Sequence, residues 1–98
     1  MKFGISQVVI CLMATAAPTV QAFECTKGLK YCGWNLRHLG WDEIELIRAL
    51  QRQGKRPTVG NIQYSLYECV SRGKIEWNRK CGDFNCGNGG GGKSDFCT

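Results

Sequence analysis

Residues 87–94 read Gly-Asn-Gly-Gly-Gly-Gly-Lys-Ser, which satisfies the phosphate-binding-loop pattern GxxxxGK[ST]. In that chemistry backbone amides cradle the phosphates, the lysine meets the terminal phosphates and the hydroxyl binds Mg²⁺. The pattern also requires a strand before the loop and a helix after it. Only Asp95 to Thr98 follow Ser94, too few for that helix, so the segment is expected to be a glycine-rich loop. Other catalytic arrangements find as little support. His38 is the single histidine, and no serine sits in a nucleophile-elbow motif. The 8 carboxylates contain no evident pair for glycosidase chemistry. The expectation is a protein that is not an enzyme, with no catalytic residue and no cofactor.

The cysteines carry more information. There are 7, of which Cys11 lies in the N-terminal apolar run. The remainder are Cys25, Cys32, Cys69, Cys81, Cys86 and Cys97, an even set that reads as a disulfide framework. Six cysteines allow 15 pairings, and spacing does not choose among them. A zinc site is the rival reading, but there is no CxxC pair and only one histidine, so no metal ligand is assigned.

Residues 1–22 have the three parts of a secretory signal. Lys2 supplies the positive start, Val8 to Ala17 the apolar run, and Val20 and Ala22 the small residues at −3 and −1. The run is about half the ~20 residues of a membrane-spanning helix, and Pro18 ends it. Cleavage is expected between Ala22 and Phe23, leaving one domain over residues 23–98, secreted and disulfide-stapled. Loss of Lys2 reduces 13 basic residues to 12 against 8 acidic ones, a net charge of +4. A small core is marginal at this length, and cross-links compensate. No Asn-x-Ser/Thr sequon is present.

Several elements are legible. A short extended segment is expected up to Cys32 with a turn at Gly28, then one or two helical turns over Trp34–Leu39 stopped by Gly40. The clearest helix runs from Asp42 to Gln53. Acidic residues open it, Ile44, Leu46, Ile47 and Leu50 form its apolar stripe, and Gly54 and Pro57 end it. Glu45 and Arg48 stand at an i,i+3 spacing suited to a weak ion pair. Residues 54–61 are expected to be a loop, and its Lys55-Arg56 pair is shielded from dibasic processing by Pro57. Ile62–Val70 is rich in β-formers and Lys74–Arg79 alternates, which predicts a hairpin turning through Ser71-Arg72-Gly73 with Gly73 left-handed. Residues 81–98 are expected to be a loop tethered by Cys81, Cys86 and Cys97. The resulting fold class is α+β: one main amphipathic helix on a small antiparallel sheet, with the hairpin at its centre.

Aromatic residues are numerous for the length. Trp41 and Trp77 are expected in the core, whereas Trp34, Tyr67 and Phe84 are candidates for an exposed binding surface, since Trp and Tyr are enriched at such surfaces. Arg52, Lys55 and Arg56 form the one local basic cluster and are added to that candidate surface. His38 is expected to face solvent or to pack beside Trp34 and Trp41.

Cys25-Thr-Lys-Gly28, Tyr31-Cys32-Gly33, Ser65-Leu-Tyr-Glu-Cys69, Gly73-Lys-Ile75, Cys86-Gly-Asn-Gly-Gly and Lys93-Ser-Asp-Phe-Cys97 together resemble the small secreted six-cysteine proteins of plant-associated fungi, which are catalogued as candidate effectors. The resemblance implies a non-enzymatic protein that promotes host colonisation by binding a host protein or a cell-wall polysaccharide. It assigns no catalytic residue. It implies a protein working outside the producing cell or inside the host. The chain itself is expected to be a monomer with no nucleic-acid partner and no stable membrane insertion. Two alternatives stand beside it. The positive charge and disulfide density suit an antimicrobial or killer-type toxin. The Lys55–Gly60 stretch is the one segment suited to a protease-inhibitory loop.

Overall fold

A computed structural model describes residues 24–98. The expected signal sequence, its cleavage point and Cys11 lie outside the described residues. In chain order the elements are β1 (Lys30–Cys32), α1 (Gly33–His38), α2 (Glu43–Arg52), α3 (Val59–Gln63), β2 (Ser65–Ser71), β3 (Lys74–Lys80), β4 (Cys86–Gly87) and β5 (Phe96–Cys97). The result is a small α+β domain with three disulfides, as the sequence suggests.

Local chemistry sets most of the helix ends. The Asp42 carboxylate accepts from the Ile44 amide at 3.2 Å, and Glu43 and Glu45 occupy the first turn of α2. Gly54 leaves the helix with φ 71°. The buried side of α2 is carried by Leu46, Ala49 and Leu50, while Ile44 is 42% exposed, so the buried stripe is rotated from the one expected. Glu45 and Arg48 do pair, at 3.3 Å.

Helix α3 corrects two expectations, the loop over residues 54–61 and the strand beginning at Ile62. Val59, Gly60 and Ile62 are poor helix formers, so propensity argues against a helix there. Tertiary placement decides otherwise. The Thr58 hydroxyl caps the helix by accepting from the Asn61 amide at 3.1 Å, and Ile62 is buried against the core. Gly33 at the start of α1 lies so close to α3 that a Cβ there would collide with the Ile62 carbonyl.

The main sheet has the order β1-β2-β3, all antiparallel. The expected hairpin forms, but it supplies the central strand and one edge, because β1 pairs with the other side of β2. Ser71 pairs with Lys74, so Arg72 and Gly73 alone make the turn. Gly73 is not among the glycines with positive φ. The register of the pair shifts twice, between Leu66 and Tyr67 and between Cys69 and Ser71. A second, two-stranded sheet joins β4 to β5.

Strand β2 is buried on both faces. Tyr67 belongs to a cluster with Leu36, Trp41, Leu46, Leu50, Ile62 and Ile75, which is the helix side. Leu66, its neighbour, belongs to a second cluster with Cys32, Cys81 and Cys86, which is the tail side. Successive strand residues point to opposite faces, so each face needs its own cover. The helices cover one face and the cross-linked tail the other.

The cysteines pair as Cys25–Cys69, Cys32–Cys86 and Cys81–Cys97, closing separations of 44, 54 and 16 residues. Loop closure of these sizes restricts the unfolded chain by about 3–4 kcal/mol each in the chain-entropy picture. Replacing Cys32 and Cys86 together by alanine is expected to lower unfolding free energy by about 3–4 kcal/mol, read from urea denaturation of the disulfide-intact protein.

Tyr67 is 0% exposed, and its hydroxyl donates toward the Asn61 and Ile62 carbonyls at 3.2 and 3.0 Å. Burial pushes its phenol well above the ordinary tyrosine value of 10.0. The folded state therefore holds this proton longer than the unfolded chain does. The contribution is complete below pH ~10 and is lost as pH rises beyond it. Thermal unfolding is expected to show a falling midpoint above pH ~10, with a shallower fall in Tyr67→Phe.

Candidate functional site

The six residues singled out for a binding surface do not form one patch. Tyr67 is in the core, which corrects its expected exposure: β2 is central, and the helices close over its ring. Trp34 is half-buried, with its indole N–H donating to the Cys86 carbonyl at 2.9 Å. It packs on the disulfide side of the sheet. Arg52, Lys55 and Arg56 stay on the surface but are partly committed. The Arg52 guanidinium donates to the Ile75 carbonyl at 2.9 Å. The Lys55 ammonium lies over the Trp77 ring, 4.9 Å from its centre. Trp77 is only half-buried, in contrast to the core position expected of it, and its N–H donates to the buried Ser65 hydroxyl at 2.9 Å.

Phe84 is the exception. It is 83% exposed, and its backbone is left-handed with φ 63°, the one non-glycine residue with positive φ among the described residues. Its ring lies 4.9 Å from that of Tyr64. The turn that carries it runs from Cys81 to Cys86, and both of those cysteines are buried and cross-linked. Lys80 pairs with Asp83 at 2.8 Å, and Asp83 in turn lies against Gly60 at the start of α3. Val59, 69% exposed, follows Thr58 on that helix. Phe84 and Tyr64 thus form an aromatic pair on a turn that approaches the start of α3, and the Arg56 carbonyl ahead of that helix accepts from Asn61 Nδ2 at 2.8 Å. The Lys55–Gly60 stretch is not extended throughout, since Val59 and Gly60 are helical.

The glycine-rich motif has a different occupation from the one its pattern suggests. The Gly89 amide donates to Asp95 Oδ1 at 2.9 Å and the Gly90 amide to Asn88 Oδ1 at 2.8 Å. The Ser94 hydroxyl accepts from the Lys30 amide at 2.9 Å. Two loop amides and the hydroxyl that a phosphate site would use are therefore engaged within the fold. A Cβ at Gly89 would collide with the Ser94 carbonyl, so this glycine serves the loop's own closure.

Asp95 is the residue sequence reasoning missed. It is 4% exposed. Its Oδ2 accepts from the Cys32 amide and from Asn35 Nδ2, each at 2.9 Å, and its amide donates to the Lys30 carbonyl at 2.8 Å. No basic side chain pairs with it among the described residues. Nothing in the local sequence Ser-Asp-Phe-Cys distinguishes such a residue from a solvated one. Apart from Gly89, its partners lie sixty or more positions away.

All six cysteines of the described residues are in disulfides, and no group of three or more His, Cys, Asp or Glu side chains there is arranged to hold a metal. No helix among the described residues is long and apolar enough to cross a membrane. No protein-family model, curated protein or solved structure matches the chain.

Asp95→Asn retains the shape but sets an amide donor against one of the donors now bound to the carboxylate. The expected cost is about 2 kcal/mol in a urea titration, with faster amide exchange at Cys32 and Gly89. An unchanged midpoint would mean that the tail docks without this carboxylate.

Proposed function

We propose that this chain is a secreted, non-enzymatic effector of a plant-associated fungus that promotes colonisation by binding a host protein through the Phe84 face. The observation that carries the reading is Phe84 itself. A large ring is held almost fully in water on a left-handed backbone, inside a turn fixed at both ends by disulfides. That conformation costs about 1 kcal/mol or more for a residue other than glycine. Neither the exposure nor the backbone strain aids folding, and aromatic anchors on rigid elements are what protein interfaces use as hot spots. Three disulfides in a small domain are typical of extracellular proteins, and the signal-like N-terminal sequence agrees with export.

The test is Phe84→Gly. It removes the ring and relieves the backbone, so stability is expected to hold or rise by up to about 1 kcal/mol in thermal unfolding. Binding is expected to move the opposite way. A host protein captured from extracellular fluid or cell extract by the native chain should be retained at least about tenfold less by the variant. A fungal strain carrying Phe84→Gly should colonise no better than a strain lacking the gene. A deletion strain that colonises as well as its parent removes the reading. Inhibition of competing microbes by the purified protein, undiminished in Phe84→Gly, replaces it with the antimicrobial one.

A further inference from the structure

A cleft of about 290 Å³ opens between the glycine-rich loop and the β1–α1 corner. Its wall includes Asn35, Tyr31, Thr26, Leu39, Gly91 and Lys93, none of which belongs to the Phe84 face. Its size is at the lower limit of small-molecule sites, about 300–1,000 Å³, and suits one ring more than an extended chain.

Asn35 is the decisive residue. It is 7% exposed. Its Nδ2 donates to Asp95 Oδ2 at 2.9 Å, and a carboxylate only accepts, so the orientation of this carboxamide is settled by its partner. The opposite atom, Oδ1, receives no hydrogen bond from the described residues. A carboxamide oxygen that no protein donor meets, on a residue lining the cleft, is left to whatever fills the cleft. A ligand carrying a hydrogen-bond donor finds an acceptor there in exchange for solvent.

The remaining wall narrows the class. Tyr31 Oη accepts from the Thr26 amide at 2.9 Å, which leaves its own proton to be donated. Thr26 adds a second hydroxyl. Leu39 is 50% exposed and offers an apolar surface. Gly91 contributes bare backbone, and a Cβ there would meet nothing within 4 Å. Lys93 brings one positive charge and Asp95, at the floor, one negative charge, with His38 the other titratable side chain on the wall. The balance favours a neutral ligand over a phosphate. A small, neutral ring with hydroxyls around its edge and an apolar face satisfies all of these features.

We infer that the cleft between the glycine-rich loop and α1 binds a neutral sugar ring, with Asn35 Oδ1 accepting from one of its hydroxyls. This makes the chain a two-site module whose saccharide site is independent of the Phe84 face.

The experiment is an NMR titration of the ¹⁵N-labelled, disulfide-intact mature chain with cellobiose, xylobiose and N,N′-diacetylchitobiose, each into the millimolar range, with inorganic phosphate as the anionic comparison. At least one disaccharide is expected to shift the Asn35 side-chain amide and the backbone amides of Gly90 to Lys93 in a saturable way, with phosphate producing no saturable change. Gly91→Trp places a bulky side chain at the cleft from a position without strain or neighbours. It is expected to weaken the affinity at least about tenfold with the rest of the spectrum preserved. Three disaccharides without a saturable shift at these amides overturn the inference. So does phosphate that shifts them equally, or binding that survives Gly91→Trp unchanged. Phe84→Gly should leave the titration unaltered, so the two sites fail or stand separately.

Discussion

The buried carboxylate of Asp95 is where the beginning and the end of the domain meet. It gathers the amide of Cys32, the side chain of Asn35 and the amide of Gly89, so strand β1, helix α1 and the glycine-rich loop all converge on one anion. A buried charge without an ion-pair partner is tolerated only when hydrogen-bond donors replace the water it has lost. Every donor around Asp95 is therefore under constraint, and so is the chain that carries it. The glycine-rich loop takes its shape from this demand. A segment with so few side chains has no core of its own, yet it curls back on Ser94 and closes over the corner.

The disulfides close the same junction. Cys32, whose amide binds Asp95, is also joined to Cys86, and Cys81 is joined to Cys97 just beyond Asp95. The tail is thereby held against the face of the sheet that the helices leave uncovered. This is the reason β2 has apolar or small residues pointing both ways. A chain of this size does not provide a second helical layer for that face, and the cystine sulfurs with Leu66 do the work of a small core instead.

A framework fixed in this way has consequences for the surface. With both ends of the 81–86 turn buried and cross-linked, Phe84 is held in water by geometry that its own side chain does not favour. On the other side of the tail, the same fastening leaves a cleft whose floor is Asn35 and Asp95. The proposed protein-binding and saccharide-binding sites both depend on the tail being docked, although they use different side chains.

Read alone, the sequence determined those features that are encoded within a turn or two. The helix α2 follows from Asp42 at its start and Gly54 at its end, and the β2–β3 hairpin follows from alternation around Arg72-Gly73. The even number of cysteines beyond Cys11 pointed to a framework but not to its pairing. Tertiary structure alone decided the rest. The helix α3 forms against its propensities because Ile62 has a place in the core and Gly33 lets it approach. Tyr67 is buried and Phe84 is not, although both were equal candidates for exposure, because one lies on a central strand and the other on a pinned turn. The glycine-rich motif looked like a phosphate loop because its pattern records only residue types, whereas Asp95, from the same short tail, already holds one of its amides. The physical reason is common to these cases: caps and turns act over a few residues, but burial, cystine pairing and the solvation of Asp95 are settled by groups that only the folded chain brings together.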